Sequence, residues 1–139
     1  MPVRSAAEIY GELVDRLLAA AGADPRVKAL WLEGDSPADL RRPYRMLEVH
    51  LAADEPDFAP VVAGIESLVG GGGPVADAQW ADVPRFAREL RCTLDGAPVT
   101  VIVEKSSLLA KRPRAAVAAL ADRTGHLYHV LDFSKSRGP

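Results

Sequence analysis

The chain has 139 residues, a formal net charge of −2, 48% hydrophobic and 26% charged side chains, and one cysteine, Cys92. That length buries one proper core, and the slightly acidic balance supplies no field to draw nucleic acid or an anionic membrane. One cysteine excludes an internal disulfide or a multi-cysteine zinc site, and no apolar run approaches the roughly 20 residues of a membrane span.

Met1-Pro2-Val3-Arg4 leads into a capped helix rather than a signal-peptide pattern, so a soluble, cytoplasmic protein without membrane association is expected. Ser5-Ala6-Ala7-Glu8 has the spacing of a capping box, in which Ser5 and Glu8 satisfy each other's amides. Ile9, Leu13, Val14, Leu17 and Leu18 then recur at helical spacing, and the helix is expected to end near Gly22. Asp24-Pro25 breaks it, and Val27–Leu32 reads as a buried strand. Residues 34–43 read as loop, punctuated by Pro37 and Pro43.

Over Met46–Ala52 the period of two places Leu47, Val49 and Leu51 on one face and Met46, Glu48 and His50 on the other. The apolar set should meet the helices; the other face is where a cleft would lie. Asp54-Glu55-Pro56-Asp57 opens a second helix through Val69, with Phe58, Val61, Val62, Ile65 and Leu68 as its buried stripe. Gly70–Gly73 ends it as a connector, lacking the Gly-Lys-Ser/Thr ending of a phosphate loop. Val75–Trp80 reads as a weaker strand. Arg88–Leu94 and Pro98–Glu104 form a hairpin turning at Asp95-Gly96. A short helix is predicted from near Pro113 to about Asp122, and a last strand over His126–Phe133.

The expected order is α-β-β-α-β-β-β-α-β, an α+β fold with a mixed sheet and helices mainly on one face. Residues 1–133 are expected to form a single domain and 134–139 a flexible tail.

From Val27 to about Ser107 this pattern resembles the nucleotidyltransferase superfamily, which includes aminoglycoside adenylyltransferases, polymerase-beta-like enzymes and minimal bacterial relatives. Members carry a Gly-Ser turn after the first strand, an Asp-x-Asp pair at the start of the next, and a third Asp on a later strand. Gly34-Asp35 stands at the turn here. The pair falls on Met46 and Glu48, and Val49-His50-Leu51 matches the continuation. The third Asp position falls on Thr100, within Gly96–Val103.

The resemblance implies a substrate-binding set of Gly34, Asp35, Ser36, His50 and Thr100, with Glu48 as the one catalytic carboxylate left. In such enzymes three carboxylates hold two magnesium ions, which bind the triphosphate and activate the attacking hydroxyl. Magnesium demands hard oxygen donors in octahedral geometry at about 2.0–2.1 Å. Met46 offers a soft thioether and Thr100 a neutral hydroxyl, while Asp35 sets negative charge where the turn would cradle phosphate. The expectation is therefore a scaffold that has lost catalysis and acts as a binding or interaction module, as a homodimer or with a protein partner. No cofactor and no metal are expected. The alternative is an active enzyme that transfers a nucleotidyl group from an NTP to a small molecule or protein with Mg2+, using Glu48 with Asp35 or Asp39. A Glu48–His50 pair repurposed for one transition metal or for acid–base work is a further alternative, set against a polar pair on a solvated sheet face.

Other features have plainer readings. His126-x-x-His129, with Asp132 following, would point its histidines to opposite faces of a strand. Lys105, Lys111, Arg112 and Arg114, and Arg41 with Arg42, read as solvated surface, so nucleic-acid binding is not expected. Cys92 and Trp31 read as core; Trp80 reads as core or as part of an interface.

Overall fold

The computed structural model of the protein describes residues 5–33, 47–72, 75–83, 87–111 and 118–124. They form the expected α+β architecture, two helices packed on a six-stranded mixed sheet. The elements run α1 (Ala6–Ala23), β1 (Ala29–Leu32), β2 (Leu47–Ala53), α2 (Glu55–Val69), β3 (Ala76–Val83), β4 (Ala87–Leu94), β5 (Ala97–Lys105), a 3-10 segment (Ser106–Lys111) and β6 (Ala118–Asp122). The sheet order is β3-β4-β5-β2-β1-β6, with β2 and β5 parallel and every other pair antiparallel.

Helix α1 starts where the capping box places it. The Glu8 amide donates to Ser5 Oγ at 3.2 Å, and the Ser5 hydroxyl donates back to the Glu8 carboxylate at 3.1 Å. The return bond therefore runs through the hydroxyl rather than the Ser5 amide. Ser5→Ala should lower the unfolding free energy by about 1 kcal/mol, measured by urea denaturation; an unchanged midpoint would mean that the cap carries no stability.

At the other end of α1, the Arg123 guanidinium donates to the carbonyls of Ala21, Gly22, Asp24 and Val27 at 2.7–3.2 Å. A cation there answers both the orphan carbonyls and the negative end of the helix dipole. No local pattern in the sequence announces this cap, because Arg123 lies about 100 residues further along.

The core is the layer between helices and sheet. Ile9, Leu13, Val14 and Leu17 of α1 and Val61, Ile65 and Val69 of α2 meet Leu30, Leu32, Leu47, Val49, Leu51, Leu90, Val99, Val101 and Val103. Phe58, Val62 and Leu68 flank this core half-buried, so the buried stripe of α2 is narrower than its periodicity predicts and is completed by Val69. Cys92 is buried in the same layer, and burial pushes its thiol pKa up. The hairpin turns at Asp95-Gly96 as expected; both residues take positive φ, 50° and 84°, the backbone that an Asp-Gly turn supplies.

Strand β3 is longer than predicted, runs along the sheet edge and is largely exposed. Trp80 packs half-buried against the core, its indole donating to Glu66 on α2 at 2.7 Å. Lys105 pairs with Glu55 at 3.1 Å and lies over the Phe58 ring.

The helix predicted up to Asp122 is not formed over residues 118–122, which are strand β6. Alanine-rich sequence favours a helix, but β1 offers an open row of backbone groups on its outer side, and the ladder satisfies them. Small residues also suit the register, since Ala119 pairs with Trp31 and Ala121 with Leu30. The Gly34–Ser36 turn, Met46, Asp39, the His126–Phe133 strand and the 134–139 tail lie outside the described residues. Among the described residues no helix is long and apolar enough to cross a membrane.

Candidate functional site

Period-two alternation that turns the leucines and valines of β1, β2 and β5 toward the helices turns a second set the other way. That set is Trp31 on β1, Glu48 and His50 on β2, and Thr100, Ile102 and Glu104 on β5. Glu33 follows β1 directly, and its amide extends the ladder by donating to the Glu48 carbonyl at 3.2 Å. In the β2–β5 register Glu48 lies beside Thr100, His50 beside Ile102 and Ala52 beside Glu104. The polar face expected of β2 is therefore present, and it is buried rather than an open cleft: His50 is 3% exposed and Glu104 2%.

His50 is the centre. Its Nδ1 lies 2.5 Å from a Glu104 carboxylate oxygen. Its Nε2 lies 2.7 Å from Glu48 Oε2 and 3.4 Å from Glu33 Oε2. The Trp31 indole N–H donates to that same Glu33 oxygen at 2.6 Å, while the Trp31 ring stacks on the imidazole, centroids 5.2 Å apart. Both rings of this stack belong to directly paired residues of β1 and β2. Exposure rises across the cluster from Glu104 to Glu48, whose side chain is 32% exposed, so Glu48 is its solvent side.

Burial opposes a charge on the imidazole, but the hydrogen bonds that the ring donates to Glu104 and Glu48 and the nearby Glu33 charge outweigh it. The His50 pKa is raised from 6.5 to about 8. At neutral pH the ring holds a proton between carboxylates.

Glu48 and His50 come together as period two places them. Glu33 and Glu104 are members of the cluster that the sequence reading missed. Glu104 has a signal in hindsight: it shares the parity of Thr100 on a strand otherwise turned apolar. Glu33 has none beyond its place at the end of a buried strand. Thr100 lies beside Glu48 in the β2–β5 register and brings a hydroxyl there.

The two-magnesium centre that the resemblance implies does not fit these donors. Of the three positions the resemblance would fill with carboxylates, Met46 lies outside the described residues, Thr100 offers a neutral hydroxyl, and Glu48 has an oxygen 2.7 Å from the His50 imidazole. One ligand atom each from Glu33, Glu48 and His50, by contrast, lies within 4.8 Å of the others, a set able to hold a single ion. The chain matches no protein-family model and no curated protein.

Proposed function

We propose that the chain is a nucleotidyltransferase-like module that does not transfer nucleotides and works by binding, with the His50 cluster as its ligand centre. The observation that supports this most is Thr100 beside Glu48 on the parallel pair β2–β5. In-line transfer at phosphorus needs negative charge there to hold metal ions and to accept the proton of the attacking hydroxyl. A neutral hydroxyl brings no charge to the first task and is a poor base for the second at pH 7.

A second copy or a protein partner belongs to the same reading. Strand β3 favours it, since among the described strands it has a neighbour on one side only and a largely exposed surface. Light scattering of the purified chain tests self-association: a dimer mass supports a second copy on this edge, and a monomer mass overturns it.

The decisive experiment incubates the full chain with each NTP and Mg2+ and measures pyrophosphate release, with calorimetry of Mg·ATP alongside. The expected result is no release above buffer and no tight nucleotide binding. Release that disappears in Glu48→Gln would overturn the proposal in favour of an active nucleotidyltransferase.

A further inference from the structure

We propose that Glu33, Glu48 and His50 hold one divalent transition-metal ion, with Glu104 and Trp31 as positioning residues. This rests on reading the His50 cluster as the ligand centre of a binding module.

The spacing of the donors carries the inference. An ion with nitrogen and oxygen bonds of about 2.0–2.1 Å keeps adjacent donors roughly 2.9–3.4 Å apart in tetrahedral or octahedral geometry. His50 Nε2 and Glu33 Oε2 are 3.4 Å apart, which meets that without movement. Glu48 Oε2, at 2.7 Å, has to withdraw by a few tenths of an ångström, and its carboxylate is the member of the set nearest solvent.

The supporting contacts are those a metal histidine needs. A ligating imidazole characteristically gives its other nitrogen to a carboxylate, which fixes the ring and raises its basicity. Glu104, 3% exposed, occupies that place on Nδ1 and leaves Nε2 directed between Glu33 and Glu48. Trp31 orients both partners at once, stacking on the imidazole and donating to the Glu33 oxygen. His50 and Glu33 therefore each have a second contact that sets their direction.

The imidazole also selects the ion. Magnesium and calcium prefer all-oxygen sets, whereas imidazole with carboxylates suits zinc, iron, cobalt and manganese. Three protein donors leave at least one coordination position for water or for a donor atom of a ligand. The entry side is Glu48. The competitor for Nε2 is a proton, in which case Glu48 and Glu104 clasp an imidazolium and the cluster is structural.

The test uses the full chain stripped with chelator, then titrated with Zn2+ by calorimetry and with Co2+ by visible absorption. One equivalent should bind. Glu33→Gln and Glu48→Gln should each weaken binding at least about tenfold, and Glu104→Gln roughly 10–100-fold, with circular dichroism unchanged. Absence of stoichiometric binding of both ions would overturn the proposal. So would an affinity unaltered in Glu33→Gln and Glu48→Gln but lost in a His126→Gln/His129→Gln variant, which would put the ion elsewhere. Neither failure touches the binding-module reading, which falls only to nucleotide transfer in the pyrophosphate assay.

Discussion

His50→Leu should lower the unfolding free energy by about 3–5 kcal/mol at pH 7. The imidazole is the group that Glu33, Glu48 and Glu104 share, and Glu104 and Glu33 are 3% and 9% exposed at the side chain. Leucine fills much of the volume but removes the imidazole that both buried carboxylates approach, at Nδ1 for Glu104 and at Nε2 for Glu33. Glu104→Gln is the companion variant: it keeps an acceptor for Nδ1 and removes one charge, so it folds with a smaller loss.

The pH profile gives a readout that loss of packing alone would not move. A histidine whose pKa rises from 6.5 to about 8 on folding stabilises the folded state while protonated. That contribution is complete below pH 6.5 and disappears as pH rises through about 8, and it is worth about 2 kcal/mol. In chelator, the denaturation midpoint of the wild type should therefore fall between about pH 6 and pH 9. His50→Leu should lack that step. Parallel profiles for the two proteins would show that the buried imidazole does not carry the charge assigned to it.

Trp31→Ala is the second large effect, again about 3–5 kcal/mol by chemical denaturation. Trp31 is fully buried, on the side of the sheet away from the helices, and it holds both His50 and Glu33 in place. Trp31→Phe should recover much of the packing while losing the indole N–H and part of the ring, with about 1–3 kcal/mol of the cost coming from the polar contact removed from Glu33. If the two variants were equally unstable, the hydrogen bond rather than the ring would be what matters. A loss below about 1 kcal/mol in Trp31→Ala would mean that the face opposite the helices is not a packed layer.

What could be read in advance follows from where the information lies along the chain. Helix α1, helix α2 and the Asp95-Gly96 hairpin are encoded locally, by capping residues, a 3.6-residue period and a turn dipeptide, and each forms within a few residues of its predicted bounds. The side-by-side placement of Glu48 and His50 is equally local, a matter of two residues on one strand. Glu104 reaches His50 only through the β2–β5 register, which joins positions 54 residues apart. Glu33 is recruited by the β1–β2 pairing and by an indole from the same strand. Register is a property of the assembled sheet, and no window of sequence contains it. Residues 118–122 fail for the opposite reason: their local preference is clear, and an open strand edge overrides it.

That edge has a consequence for how the chain is made. Strand β1 lies inside the sheet, yet its outer neighbour is drawn from residues 118–122, some ninety positions later. During synthesis the strand Ala29–Leu32 can join β2 early, but its far side must wait until residues 118–122 have left the ribosome. An apolar ribbon with exposed amides is the species most apt to pair with a stranger. Termination short of Ala118 would keep that interval open for good, and with it the helix end that Arg123 closes. Among the described strands, the pairing with β6 is thus the last to become available, and it covers an apolar strand edge.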